Sequence, residues 1–175
     1  MINRKLLIWS FLSYLMILIW LIYFKANIGE WINNTKTFFE GMSLLSKIRY
    51  GIIPFEHFKL WKVKSYLLNV LIFIPFFIYF EFIKSKRNNS LQLFLLLIIP
   101  IFIEVMQLFI PFCGFAVEDI ICNMLGMYIG LIIAKYVNKI NPAIINRLTI
   151  GSLIILLPLT IYGIINTIIN FNLYQ

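Results

Sequence analysis

The chain has 175 residues, of which 62% are hydrophobic and 13% charged, with fifteen Lys+Arg against seven Asp+Glu and a formal charge of +8. Soluble domains are about 45–50% apolar and about 25% charged. A mean hydropathy of +0.93 leaves too little polar surface to cover a water-soluble core, and the same figures exclude disorder, collagen and charged fibres. The composition is that of an all-α, polytopic integral membrane bundle forming a single membrane domain over residues 1–175.

Five apolar stretches are long enough, at about 1.5 Å per helical residue, to cross a hydrocarbon core about 30 Å thick. The first, Leu6–Phe24, follows Arg4 and Lys5. It is longer than the about 7–15 apolar residues of a signal peptide and no small-residue cleavage site follows, so it is expected to be retained as a helix. Next comes Lys25–Lys64, with seven basic residues against Glu30, Glu40 and Glu56. Its Trp31, Tyr50, Phe55 and Trp61 predict an interfacial segment over residues 25–64, with lysines able to touch anionic head groups. A lone His57 there reads as interfacial rather than catalytic. The second span, Ser65–Ile83, carries Asn69 one turn inside its start, Pro75 mid-span, and Glu81 placed to snorkel beside Lys84. The third, Leu91–Ile110, carries Pro100, Glu104 and Gln107; the fourth is Ile120–Val137; the fifth, Leu148–Asn170, contains Pro158. The three prolines are expected to kink their helices.

Lys84, Lys86 and Arg87 follow the second span, and Lys135, Lys139 and Arg147 surround the turn after the fourth, whereas the connection Pro111–Glu118 has no basic residue. With Arg4 and Lys5, the positive-inside rule gives an N-in, C-out bundle whose 25–64 segment is outside. The basic excess is thereby a topological signal and implies no nucleic acid.

Ionisable groups within spans are expensive and usually face the bundle interior. Glu104 and Gln107 are three residues apart and share a helix face. Asp119, Asn123, Gly126 and Gly130 fall on one stripe of the fourth span, and Gly126 with Gly130 forms a Gly-x-x-x-Gly that permits close helix packing. Under the derived topology Asn69, Glu104, Gln107, Glu118, Asp119 and Asn123 all occupy the outer half of the membrane. Hydrogen-bonded packing explains Asn69, Gln107 and Asn123 as well as ligand contact does. Glu118 and Asp119 also suit a helix N-terminus, where carboxylates meet unsatisfied N–H groups. Glu104, placed about six residues or about 9 Å inside the span, is the sharper functional candidate, and no Lys or Arg within the spans offers itself as a partner. Cys113 and Cys122 lack zinc spacing with His57, and no P-loop, dinucleotide or HExxH pattern occurs, so no metal and no cofactor is expected.

Ile53-Pro54-Phe55, Asn69-Val-Leu-Ile-Phe-Ile-Pro75, Ile103-Glu104 with Gln107, and Glu118-Asp119-Ile-Ile-Cys-Asn123-Met-Leu-Gly126 with Gly130 together resemble the VanZ-like membrane proteins over residues 50–135. The resemblance implies a small multi-pass protein of the cell membrane of a Gram-positive bacterium, linked to teicoplanin-type glycopeptide resistance or cell-envelope homeostasis. Family members commonly carry an Arg and a further Asp where this chain has Cys113 and Ala116, and a Gly where it has Phe77. If the family acts on phosphate or carboxylate groups, the loss of that Arg removes the natural anion clamp.

Three functions remain open. The first is a non-enzymatic protein that binds a lipid-linked cell-wall precursor or lipoglycopeptide in an outer-leaflet pocket formed by Asn69, Glu104, Gln107, Asp119 and Asn123, among membrane lipids and with self-association possible. The second is a membrane-embedded enzyme using Glu104 as general base on a lipid or cell-wall precursor. The third is a small proton-coupled transporter.

Overall fold

The computed structural model describes residues 4–32, 41–52, 62–83, 89–110 and 113–140, and, further on, residues 144, 147, 150–152, 154–155, 158, 161–162 and 165. Five helices order the described residues up to Ile140: α1 (Arg4–Ile32), α2 (Leu44–Gly51), α3 (Lys62–Ile83), α4 (Asn89–Gln107) and α5 (Val117–Ile140). Among the described residues four helices are long and apolar enough to cross a membrane, over Arg4–Leu21, Ser65–Ile83, Ser90–Gln107 and Val117–Val137. Within the expected fifth span, Leu148–Asn170, the described residues are helical and the others lie outside the described set. The molecule is a helical membrane protein.

Two boundaries differ from the sequence expectation. The first helix continues to Ile32, giving 29 residues or about 44 Å at about 1.5 Å per residue, so residues 25–32 are helical and prolong α1 beyond its apolar stretch Arg4–Leu21. Nothing in residues 25–32 breaks a helix apart from Gly29. At the other boundary α4 stops at Gln107, where the chain tightens through bonds from Leu108, Phe109 and Ile110 N–H to the carbonyls of Val105, Met106 and Gln107. Glu104 therefore lies one turn from the helix end, not six residues inside.

Interhelical bonds fix the helix directions. At one end Arg4 donates to Ile83 O at 3.5 Å, tying the start of α1 to the end of α3. There too the buried Gln92 at the start of α4 donates to Glu81. That bond gives Glu81 a partner across the turn; Lys84, its expected companion, lies outside the described residues. Ser10, Tyr79 and Ser152 form a closed set of hydroxyl contacts at 2.5, 2.6 and 2.8 Å, which joins α1, α3 and the C-terminal stretch. The helices α3 and α4 both run through their prolines. Pro75 has no N–H for the carbonyl one turn back, and the next carbonyl, Ile72 O, accepts a 2.6 Å bond from the Tyr14 hydroxyl.

The closest packing is between α3 and α5. A Cβ added at Gly126 would lie 2.2 Å from Val70 O, and one at Gly130 would lie 2.1 Å from Ile74 O. Glycine one turn apart on α5 thus lets its backbone rest on the carbonyls of α3. Phe73, Phe77 and Met127 fill the core beside this contact. On α4, the buried residues are Gln92, Leu96, Pro100 and Glu104, a strict i+4 series that Leu108 continues just past the helix end, while Leu93, Phe94, Leu97, Phe102 and others between them are exposed. This single stripe dictates which α4 side chains meet the bundle, and Glu104 belongs to it.

Candidate functional site

Glu104 is 1% exposed and is the centre of the polar contacts at the end of the bundle opposite Arg4. Ala116 N–H donates to its Oε2 at 3.1 Å. With the Gln107 amide oriented to satisfy both partners, its nitrogen donates to Glu104 Oε1 at 3.0 Å and Oε2 at 3.2 Å. Ala116 in turn accepts from Asp119 N–H and Ile120 N–H through its carbonyl, which starts α5. One carboxylate thus joins the end of α4 to the start of α5. Asp119 and Glu118, in the first turn of α5, lie within electrostatic reach of Glu104.

On the third wall Tyr66 of α3 stands against Glu118, Asp119 and Cys122. One turn further along α5, Asn123 is 3% exposed, and its Oδ1 has no hydrogen-bond partner among the described residues. Asn69 is half-buried on α3, beside the Val70 carbonyl that supports Gly126. Its side chain makes no hydrogen bond to the Glu104 group among the described residues. The structure therefore bonds Gln107 to Glu104, keeps Asp119 within electrostatic reach of it, sets Asn123 one turn deeper on the Asp119 stripe, and places Asn69 near that level on the neighbouring helix. Gly126 and Gly130 serve the helix contact beneath.

Sequence reasoning missed Lys47. It comes from α2, within the segment expected to offer lysines to head groups, and its side chain turns inward instead, 3% exposed. Its Nζ donates to Ile110 O at 2.7 Å and Leu108 O at 3.5 Å, carbonyls just beyond the end of α4, of which Ile110 O also accepts from Cys113 N–H at 3.2 Å. Ser43 starts α2 by accepting from Ser46 N–H, after Gly41 turns the chain at φ +81°. One turn after Lys47, on the same face, Gly51 rests on the 113–116 connection, where an added Cβ would lie 1.6 Å from Phe115 O. The Lys47–Gly51 spacing, one helical turn apart, was the available signal; among the described residues Lys5, Lys135 and Lys139 are exposed. Cys113 lies between the two charges. Burial pushes its thiol up, Lys47 draws it down, and Glu104 adds to the rise.

The arrangement is rich in acceptors, with three carboxylates and the unsatisfied Asn123 oxygen, and Lys47 stands at its edge. Such a group can accept hydrogen bonds. The residues described include no group of three or more His, Cys, Asp or Glu arranged to hold a metal ion.

A family model described as VanZ/LLP1 matches residues 11–145. No curated protein matches the chain. Nor does any solved structure.

Proposed function

The chain belongs to the VanZ/LLP1 family, and from that membership we propose that it is a cell-membrane protein of a Gram-positive bacterium that contributes to teicoplanin-type glycopeptide resistance or envelope homeostasis by binding an amphiphilic ligand. In this reading residues 1–175 form one membrane domain of five spans, N-in and C-out, and the Glu104 end opens to the outer leaflet. The ligand is a lipid-linked cell-wall precursor or a lipid-tailed glycopeptide. Its head group contacts Asn69, Glu104, Gln107, Asp119 and Asn123, and its tail lies along the lipid-facing helices.

The observation that carries this reading is Asn123. A buried amide oxygen without a donor is unfavourable by about 1–3 kcal/mol, and a donor on a bound head group would recover that loss. The supporting geometry is the gathering of polar groups of α3, α4 and α5 at the end of the bundle opposite Arg4. Glu104 also favours binding over general-base catalysis, because Gln107 and Ala116 already supply donors to its oxygens.

The test is expression in a teicoplanin-sensitive Gram-positive host. Wild-type protein is expected to lower susceptibility, and Glu104→Gln and Asn123→Leu, present in the membrane at equal abundance, are expected to abolish the protection. Unchanged susceptibility with wild-type protein, or full protection by both variants, overturns the reading.

A further inference from the structure

The short helix α2 is built inside out for a helix in water. Lys47 and Gly51, one turn apart, face the protein and are buried. The opposite side presents Leu45 at 80% exposure and Ile52 at 54%, with Leu44 at 47% on its flank. A water-facing surface helix does the reverse, setting its lysine in solvent and its leucines against the core. Hydrocarbon inverts that preference. An ammonium beside acyl chains must find acceptors within the protein, and leucine side chains can face outward.

The partners of Lys47 fit this inversion. Its two carbonyls, Leu108 O and Ile110 O, flank Phe109, which is itself 67% exposed. Met106 and Val105, in the last turn of the apolar helix α4, are exposed as well, so the end of α4 that holds Lys47 also presents apolar side chains outward. The exposed Arg49 sits beside Leu45 on the helix wheel, at the last turn of α2, where a long side chain reaches out of the apolar layer towards water.

We infer that α2 is seated in the hydrocarbon edge of the bilayer, with Leu44, Leu45, Ile52 and Phe109 against lipid acyl chains and Lys47 pinned beneath them to the end of α4. The partner surface is lipid; it is neither water nor a second protein chain. The inference concerns α2 alone and stands whatever the Glu104 site binds.

Site-directed spin labelling of the full chain in phosphatidylglycerol–phosphatidylethanolamine liposomes tests it. Cys113→Ala and Cys122→Ala remove the native thiols, and single labels are placed through Leu45→Cys, Ile52→Cys and, as a lipid-facing reference on α4, Phe102→Cys. Labels at positions 45 and 52 are expected to show the reference's preference for collisions with oxygen over a water-soluble nickel chelate. A preference for the nickel chelate places α2 in water and overturns the inference. Low collision rates with both reagents place the face under protein and overturn it equally. Leu44→Cys repeats the measurement should either α2 variant fail to fold, as judged by its elution and helical circular dichroism.

Discussion

Glu104 illustrates how one buried acid can order its surroundings. Its carboxylate accepts from Gln107 on its own helix and from Ala116 N–H at the start of α5, so it closes the turn between two spans as well as lining the candidate site. Glu104→Leu leaves those donors without an acceptor and is expected to destabilise the protein by about 1–3 kcal/mol. Glu104→Gln keeps one oxygen acceptor and should lose less; thermal denaturation in detergent ranks the two. Equal stability of wild type and Glu104→Leu would show that the bonds contribute nothing. The nearby Cys113 gives a pH test. Burial raises its thiol, and Lys47 offsets only part of the rise. A raised value means less thiolate at a given pH, so maleimide labelling of Cys113 in Cys122→Ala protein should be slow near neutrality. It should keep accelerating above the ordinary thiol value of about 8.5. A rate that levels off below that pH contradicts the burial.

At the scale of elements, three glycine contacts hold the site in place. Gly126 and Gly130 bring α5 onto the carbonyls of Val70 and Ile74, and Gly51 brings α2 onto Phe115. Gly126→Val forces backbone apart in the core and is expected to lower stability by about 1–3 kcal/mol or more. Gly151→Ala, where an added Cβ meets nothing within 4 Å, should leave the melting temperature unchanged; similar losses for both would refute the packing role. Gly51→Val should release α2 and expose Cys113 to a water-soluble maleimide while α3 and α5 stay paired. The spans over α3, α4 and α5 were legible because apolar length and the i, i+4 stripe act locally. The stripe Asp119, Asn123, Gly126 and Gly130 could be read from spacing alone. What spacing could not reveal was α2, because its eight residues are too short to declare a span and its lysine points against the usual preference. The end of α4 differs as well: Leu108, Phe109 and Ile110 are apolar enough to continue a helix, but Pro111 has no N–H for Gln107 O and disfavours helical backbone at Ile110.

For the whole molecule, the bonds from Arg4 to Ile83, Gln92 to Glu81 and Lys47 to Ile110 assign each helix end to one of two bundle ends. The positive-inside reading places the Arg4 end in the cytoplasm. Reporter fusions after Arg87 and after Arg147 should be active in a cytoplasmic assay, and a fusion within 111–116 should be active only outside; the opposite pattern would turn the proposed site towards the cytoplasm. The family match spans residues 11–145, which includes every element that builds the Glu104 end. Saturable binding of fluorescent teicoplanin to the purified chain in nanodiscs tests the central claim most directly. Binding is predicted for wild type, with at least a several-fold weakening in Glu104→Gln and none in Glu81→Gln at the opposite end. Absence of saturable binding, or equal weakening by both variants, would contradict a ligand site at Glu104.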